Sequence, residues 1–561
     1  MNSLSKTCRQ CSRSFTVEQE DLEFYDRVSP VIGGQKFALP APTLCPECRW
    51  IRKAAYRNFK ILYHRKSDLS GKPLISIYAP DKPYKVYSPE EWWSDQWDPL
   101  SYGRDFDFNR PFFEQFQELT LLVPKPSVSI SQCENCTYTN MSHQSKNCYL
   151  VFGCVINEDC YYSHILWRSQ NCFDMLYSYR CEQCYECVDC ELCHSCVYCM
   201  DCSQCSDSRY LMNCRSCRNC LGCVNLVNQE YCILNKKYSK EEYEKKRAEC
   251  LSPEGFPVFY EELTKLYQAA PRRAGVFINC EDVSGNHVFN SRQCKECFDL
   301  QFSENCRFCL TGALMKDCYD CVYNGAGQEL SYETLFTYGY HLMFCRDILS
   351  TSSDLLYCID SAGIKNCFGC IGLHNREEYC IFNKQYSKEE YERLVPRILE
   401  HMQKTGEWGE FFPADKSAFG YNESIASDYY PLGKEEALHK GFAWYDKNQE
   451  SEINQYVGKL QIPPTSLTNV TEDLTKSIFK CEVTGKPFKV LAQELEFYKT
   501  MDLPLPRRCP DQRHMDRMAR RNPRRLWDRS CAQCNMPIQT SYSPDRPEKV
   551  LCEKCYLKTV Y

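Results

Sequence analysis

The chain has no apolar stretch long enough to cross a membrane, and its first residues lack the apolar core of an export signal. Basic residues are not in excess either: the formal net charge is −6, so no global field draws the molecule to nucleic acid. Glycine is scarce, at 23 residues, whereas tyrosine and phenylalanine are abundant, which argues against extensive disorder. We therefore expect a folded, soluble, cytoplasmic protein with several domains and no membrane partner.

Motifs of catalysis are missing as well. The sequence contains no nucleophile motif, no glycine loop for phosphate and no histidine-based metal site with an open position. Solenoid proteins can carry carbohydrate-active grooves, and acidic residues are plentiful, so an enzyme is one interpretation of the chain. It is the least favoured of the three that we consider.

Cysteine, in contrast, is abundant, with 43 residues. In a small secreted protein this number would indicate disulfides, but without an export signal metal ligation or buried thiols are better interpretations. Four cysteines lie in the first 48 residues, 33 lie between Cys133 and Cys380, and six lie from Cys481 onward. The two ends and the middle of the chain therefore need separate explanations.

Each end carries two Cys-x2-Cys pairs, which together supply the four thiolates of a tetrahedral structural zinc ion. The first set is followed by a basic, helix-compatible stretch and predicts a treble clef, whereas the second has the spacing of a zinc ribbon. We predict two structural zinc ions as cofactors. Their expected ligands are Cys8, Cys11, Cys45 and Cys48 at one end, and Cys531, Cys534, Cys552 and Cys555 at the other.

The two ends are also copies of one another. The segment from Ser67 to Ser88 matches the segment from Cys531 to Cys552 at a constant offset of 464 residues. Likewise, the segment that begins at Cys481 matches the one that begins at Cys8. The copy that begins at Ser67 and the copy that begins at Cys481 each lack zinc ligands. The four ligand positions hold Ser67, Ser70, Ser88 and Glu91 in the first, and Cys481, Thr484, Cys509 and Gln512 in the second. We expect these two modules to bind no zinc and to be held together by packing, in the first case around Trp92, Trp93 and Trp97.

The first module resembles a bacterial zinc-ribbon or treble-clef domain family. The resemblance rests on Cys8-x2-Cys11, Phe15, Glu23-Phe24-Tyr25, and Cys45-Pro46-Glu47-Cys48-Arg49 followed by Arg52-Lys53. It covers about the first 60 residues closely and residues 481–525 loosely. The whole chain is similar to long, cysteine-rich members of that family. The resemblance implies zinc binding and no established activity.

The middle of the chain is periodic. The 21 cysteines from Cys133 to Cys250 are all separated by multiples of three residues, and a stronger period of twelve lies on top. That period passes through Cys136, Cys148, Cys160, Cys172, Cys184, Cys196, Ser208, Cys220 and Cys232. A helix would rotate such residues around its surface, and a plain strand has a period of two. The pattern predicts a β-solenoid with twelve-residue coils and four inward sites per coil.

The periodic segment recurs, and each copy ends in Ser-Lys-Glu-Glu, at Ser239 and at Ser387, which predicts a capping box and a covering helix. We expect a multidomain, mainly β fold: terminal treble-clef and zinc-ribbon modules that flank two short-coil, cysteine-rich β-solenoid arrays with helical caps. The expected domains are 1–66, a zinc-binding treble clef; 67–126, a metal-free ribbon with an aromatic extension; 127–235, the first solenoid; 236–275, a helical cap; 276–383, the second solenoid; 384–470, a helical or irregular linker; 471–528, a degenerate treble clef; and 529–561, a zinc ribbon.

The solenoid cysteines have three interpretations, of which disulfides across the core are geometrically possible but disfavoured by a cytoplasmic location. Small apolar thiols suit a narrow core, which is the preferred one. Alternatively, the nine cysteines from Cys181 to Cys205 form a continuous column, beside His194, that could bind a soft metal or a cluster. This would make the protein a thiol-based metal-storage or redox protein.

The favoured function is a zinc-stabilised, non-enzymatic scaffold with a protein or nucleic-acid partner that the sequence does not identify. Basic stretches follow both second ligand pairs, and helical rows of arginine suit phosphate contact, although a solvated, charge-balanced face is an equal alternative. The candidate nucleic-acid-binding residues are Arg49, Arg52, Lys53, Arg57, Arg513, Arg517, Arg520 and Arg521.

Overall fold

The computed structural model describes residues 3–186, 199–324, 327–446, 458–464 and 470–560. These residues form many short strands and fewer helices, in keeping with a mainly β chain. The α-helices are Gln19–Val28, Pro46–Ala54, Pro89–Trp92, Phe112–Leu122, Lys240–Leu251, Phe256–Ala269, Lys388–Thr405, Ala426–Tyr429, Lys434–His439, Ala492–Thr500, Pro510–Arg520 and Glu553–Val560. The 3-10 helices are Pro99–Tyr102, Ala414–Lys416, Tyr421–Glu423 and Glu472–Lys476. None of these helices has the length and apolar character that a membrane crossing requires.

Four terminal modules share one plan, and we name them after their first ligand position: the Cys8, Ser67, Cys481 and Cys531 modules. In each, the turn of an antiparallel hairpin carries the first ligand pair, and the start of a later helix carries the second. The hairpins pair Leu4–Thr7 with Ser14–Val17, Tyr63–Lys66 with Pro73–Ser76, Phe479–Lys480 with Pro487–Phe488, and Trp527–Ser530 with Pro537–Thr540. A further hairpin pairs Val31–Ile32 with Gln35–Lys36.

The first array, residues 127–235, is built from parallel strands that follow one another along the chain. Its strands are Ile130–Ser131, Asn140–His143, Phe152–Val155, His164–Trp167 and Leu176–Tyr179, then Arg218–Leu221 and Glu230–Ile233, with Lys236–Lys237 turning back antiparallel. Asn140 pairs with Phe152, Phe152 with His164, and His164 with Leu176. Each step is twelve residues, which is the spacing of the cysteines in the sequence.

The second array, residues 276–383, is also built from parallel strands, but the number of residues between paired positions varies. Its strands are Phe277–Ile278, Gly285–Phe289, Cys297–Gln301, Leu310–Ala313, Met315–Tyr319, Val322–Asn324, Gln328–Tyr332, Gly339–Met343, Arg346–Ile348, Ser352–Leu356, Ile359–Ser361, Lys365–Phe368 and Cys380–Ile381, with Lys384–Gln385 turning back. Cys297 lies twelve residues from its partner Gly285, but Cys318 pairs with Ser331, thirteen residues away. The pairing step is eleven residues where Phe277 pairs with Val288, twelve in the next three strand pairs, and between eleven and thirteen from Met315 onward.

The cysteine side chains of both arrays are buried wherever the structure describes them, apart from a few half-buried ones such as Cys133 and Cys136 at the start of the first array. The Cys160 thiol donates to the carbonyl oxygens of Glu158 at 3.3 Å and Ser169 at 3.5 Å. Such bonds give a buried thiol backbone acceptors without any metal. Within the predicted column, Cys187, Cys190, Cys193, Cys196 and His194 lie outside the described residues.

Residues that precede many of these cysteines adopt left-handed backbone conformations. Asn135, Asn147, Asp159 and Asn171 have φ angles between 49° and 53°. Asparagine and aspartate reach this region more readily than other residues with a side chain. Their side chains also bond from one strand step to the next, as where Asn135 Nδ2 donates to Asn147 Oδ1 at 2.9 Å. The polar residue before each cysteine is thus explained by the turn that it makes.

Both predicted capping boxes are confirmed. Ser239 caps Lys240–Leu251 with Glu242, and Ser387 caps Lys388–Thr405 with Glu390. The largest apolar cluster lies where the helices Lys388–Thr405 and Phe112–Leu122 and the Cys8 module pack against the second array. It includes Phe24, Phe112, Phe344, Tyr357 and Ile398.

Candidate metal centres

The four sulfur atoms of the Cys8 module are grouped as a metal ligand set. They lie within 4.8 Å of one another, and Cys11 Sγ is 3.7 Å from Cys45 Sγ. A tetrahedral ion with Zn–S bonds of about 2.3 Å sets its ligands about 3.8 Å apart. Arg13 Nε donates to Cys11 Sγ at 3.3 Å, and a hydrogen bond with Cys48 lowers the pKa of Cys45 to about 5. Cys45 therefore favours the thiolate, the form in which cysteine binds a metal, whereas the same hydrogen bond raises the pKa of Cys48.

The Cys531 module forms a second group of the same kind. Its four sulfur atoms also lie within 4.8 Å of one another, and Cys534 Sγ is 3.8 Å from Cys552 Sγ. The backbone N–H of Cys552 donates to Cys531 Sγ at 3.3 Å. Desolvation raises the pKa of Cys531, but backbone N–H groups outweigh it and lower the pKa to about 6. Each predicted ligand set is thus brought together, and each can hold one metal ion.

The Ser67 module replaces a metal with hydrogen bonds at the matching positions. The Ser67 hydroxyl donates to the Glu91 carboxylate, which also accepts from the backbone N–H of Ser88 at 3.0 Å. Burial raises the pKa of Glu91, but the hydrogen bonds from Ser67 and Ser70 outweigh it and lower the pKa. The expected aromatic packing is found for Trp92 and Trp97, which are buried, whereas Trp93 is 45% exposed.

The Cys481 module keeps two thiols and loses two ligands. Thr484 Oγ1 lies 3.7 Å from Cys509 Sγ, so a hydroxyl occupies the place of a third sulfur. Cys481 and Cys509 are both buried, and they join an apolar cluster with Phe479, Phe488 and other side chains of the module. Two thiols do not complete a tetrahedral structural site.

The cations predicted to contact nucleic acid point into the protein. In the Cys8 module, Arg49 Nη2 lies 2.8 Å from Asp320 Oδ2, and Arg52 Nη2 lies 2.9 Å from Glu333 Oε2. Lys53 lies between the same two carboxylates, at 3.8 and 3.7 Å. Arg57 is 2% exposed. All four face the second array, and none of them is presented to solvent.

The Cys481 module repeats this arrangement on the first array. Arg513 and Arg517 bind the two oxygens of Asp174 at 2.7 and 2.8 Å, and both side chains are buried. Arg520, which is partly exposed, binds Glu186 at 2.7 Å. Arg521 binds the Asp299 carboxylate of the second array. The helices Pro46–Ala54 and Pro510–Arg520 therefore dock their modules onto the arrays. Their arginines do not form the solvent-facing rows that the sequence predicted.

The two docking contacts correspond residue by residue. Phe24 stacks on Tyr319 at 3.7 Å between ring centroids, and Phe497 stacks on Phe173 at 4.1 Å. Tyr319 and Asp320 follow Phe173 and Asp174 by 146 residues in each case. The helices that carry the cations are related by the offset of 464, since 49 + 464 = 513 and 53 + 464 = 517, whereas Phe24 and Phe497 in the earlier part of each module are 473 residues apart. Comparing these two offsets in the sequence could have identified Asp174 and Asp320, which sequence reasoning missed.

Comparisons of the chain with protein-family models, with curated proteins and with solved structures find no match.

Proposed function

We propose that this protein is a zinc-stabilised, non-enzymatic scaffold in which terminal modules clamp two cysteine-lined β-solenoids together. One observation supports the proposal: each array binds a terminal module that is distant from it in the sequence. The Cys8 module binds Asp320 of the second array, and the Cys481 module binds Asp174 of the first. Such contacts join sequence-distant parts through buried ion pairs, which are sensitive to the loss of either partner.

We interpret the two sulfur sites as zinc sites of the structural kind. Four thiolates complete the tetrahedral coordination of zinc and leave no position open for a substrate. Zinc would therefore supply folding energy to two small modules whose cores are too limited to be stable alone. This interpretation also agrees with the replacement of the metal by packing and hydrogen bonds in the other two modules.

We also interpret each array as a solenoid, with the thiols as its core. The twelve-residue parallel pairing and the burial of the cysteines support this interpretation. In the second array, burial raises the pKa of Cys358, Cys367 and Cys370 well above that of a free thiol. These three protonated, buried thiols are poor nucleophiles and poor metal ligands. In the same array, however, a hydrogen bond with Cys297 lowers the pKa of Cys294 to about 4, so the storage or redox alternative stays a prediction for that segment.

A nucleic-acid partner stays a prediction, but the charge arrangement does not favour it. Phosphate would have to compete with the carboxylates that already bind Arg49, Arg52, Arg513 and Arg517. Absence of binding to a labelled oligonucleotide at low salt would remove this possibility, and a steep loss of affinity with salt would restore it.

Hydrogen–deuterium exchange of the protein before and after chelation of zinc tests the proposed role of the metal. We expect backbone protection to be lost in residues 8–55 and 531–556, and to be kept in the Ser67 module. The Cys250→Ser variant, which changes a half-buried thiol outside the tetrads, is the control for nonspecific effects. Unchanged protection in both tetrad modules would contradict a structural role for the metal.

A further inference from the structure

A cavity of about 580 Å³ lies between the two arrays. Its walls come from both of them, with Ile165 and Trp167 on the side of the first array and Ile278 and Phe289 on the side of the second. A space of this size and apolar character is typical of sites that enclose a small organic molecule. The cavity exists only because the scaffold holds the arrays together, so a ligand site within it rests on the proposed function.

One charged side chain in the wall of this cavity lacks a full set of partners. Arg57 is 2% exposed, and its Nε and Nη1 atoms make no hydrogen bond to any residue that the structure describes. Its guanidinium group packs on the rings of Phe59 and Phe336, at 4.6 and 4.2 Å. The nearest carboxylate oxygen belongs to Asp347, at 3.9 Å, and the other oxygen of that carboxylate already accepts from Arg346 at 2.6 Å. Arg57 is therefore held mainly by aromatic rings, and it shares its long ion pair to Asp347 with the closer Arg346.

The charges around Arg57 do not balance. Arg346 and Lys125 share Asp347 and Asp360, at distances of 2.6 to 3.6 Å. With Arg57 included, three cations face two carboxylates. Burial lowers the pKa of Arg57 to about 10, which leaves the side chain charged at neutral pH. A buried charge that its neighbours balance only in part is costly, so an anion that enters the cavity would be bound favourably.

The corresponding contact of the Cys481 module shows which group Arg57 lacks. The counterpart of Arg57 is Arg521, at the offset of 464, and Arg521 is paired with Asp299 of the opposite array. Asp299 lies 146 residues after Gly153, the same offset that relates Asp320 to Asp174. Gly153 lies in the cavity wall, and a Cβ atom placed on it would be 3.5 Å from the ring of Phe59. Arg57 therefore has a glycine, Gly153, at the position that corresponds to the carboxylate Asp299 beside Arg521.

We propose that the cavity binds a small organic anion, with its carboxylate on Arg57 and its apolar body between the arrays. The ligand carboxylate would take the place that Asp299 occupies beside Arg521. An uncharged molecule with the same hydrocarbon part would gain the apolar contacts but would not form the charge-assisted hydrogen bonds with Arg57.

Calorimetric titration with decanoate and with decanol tests this, because the two probes share a body and differ in charge. Native protein should bind decanoate at least tenfold more tightly than decanol. Arg57→Gln should remove that difference. Gly153→Asp, which installs the residue that the other half carries at a similar left-handed φ (69° at Gly153 and 56° at Asp299), should pair Arg57 internally and also abolish the preference.

Equal affinities of the native protein for both probes, or no binding of either, would overturn the proposal. So would a preference for decanoate that survives both variants. Zinc content and hydrogen exchange, measured on the same samples, separate this result from a failure of the scaffold. Loss of decanoate binding with intact zinc and intact protection of both arrays concerns the Arg57 site alone.

Discussion

The Cys8 module lies on the second array and the Cys481 module on the first, and the two contacts can be compared position by position. Arg49 and Lys53 approach Asp320, as Arg513 and Arg517 approach Asp174. Yet only the Cys8 module keeps four sulfur ligands. Docking is therefore encoded by the cations and aromatic rings of the helices, whereas a metal held by the sulfur tetrad would act inside the module. The docking contact is kept in a module that lacks two of the four sulfur ligands.

The Ser67 and Cys531 modules show the same separation. Each module pairs one strand with the segment that immediately precedes an array. In the Ser67 module Val86–Tyr87 pairs with Lys125–Pro126, and in the Cys531 module Val550–Leu551 pairs with Arg272–Arg273. The attachment is shared, but a sulfur tetrad closes one module and a hydrogen-bonded Ser67–Glu91 contact closes the other.

The largest effect is expected from removing ligands of a metal-binding module. Cys531→Ser combined with Cys534→Ser should remove one zinc ion and unfold the module, because structural zinc contributes about 10 kcal/mol or more to the folding of small zinc-finger domains. Elemental analysis and hydrogen exchange would measure both changes. Ser67→Ala combined with Ser70→Ala alters the matching positions and should leave the zinc content unchanged. A change in zinc content there would mean that the comparison is wrong.

Loss of a docking carboxylate should be the next largest effect. Asp174→Asn leaves two buried arginines without their main partner, and Asp320→Asn does the same to Arg49, so each should lower the free energy of unfolding by about 3–5 kcal/mol. Denaturant unfolding measures this, with the exposed Asp473→Asn change as a control. If one variant is silent and the other is not, the two contacts are not equivalent.

A smaller, pH-dependent effect should be confined to the contact between the Cys481 module and the first array. His514 stacks on His164 at 3.7 Å and faces Lys60, Asp428 and Arg517; its counterpart in the Cys8 module is Trp50. Burial lowers the pKa of His514 to about 4. The unfolded chain therefore binds more protons between about pH 6.5 and pH 4, and stability falls as the pH falls through this range, by roughly 2–3 kcal/mol.

Unfolding measured at pH 7 and pH 5 should show this loss, and His514→Gln should reduce it. Replacement of the exposed His439 by Gln should not. An acid-dependent loss that is the same in both variants would place the sensitivity elsewhere.

The smallest change in stability is expected from restoring the lost site. Thr484→Cys combined with Gln512→Cys rebuilds four sulfur positions in a module that packing already stabilises. We expect one additional zinc ion per chain and a modest rise in melting temperature, both measurable on the purified variant. Thr484→Ser combined with Gln512→Ser is the matched control. If the rebuilt module binds no extra metal, its ligand geometry has been lost together with its cysteines.

The parts of the molecule that local spacing governs could be predicted from the sequence. The tetrads come together as expected because each Cys-x2-Cys pair is placed by a tight turn or a helix start. The capping serines Ser239 and Ser387 act as predicted for the same local reason. The burial of Arg49 and Arg513 could not be read from their own helices, since the carboxylates that bind them are hundreds of residues away. Asp320 and Asp174 resemble ordinary turn residues until both copies are aligned.

The number of metal ions per chain tests the central comparison most directly. Native mass spectrometry of protein purified without oxygen or chelators should show the mass of the chain plus two zinc ions. Four metal ions would mean that the Ser67 and Cys481 modules bind metal after all. No zinc, or iron or copper in its place, would contradict the proposal that zinc closes the Cys8 and Cys531 modules.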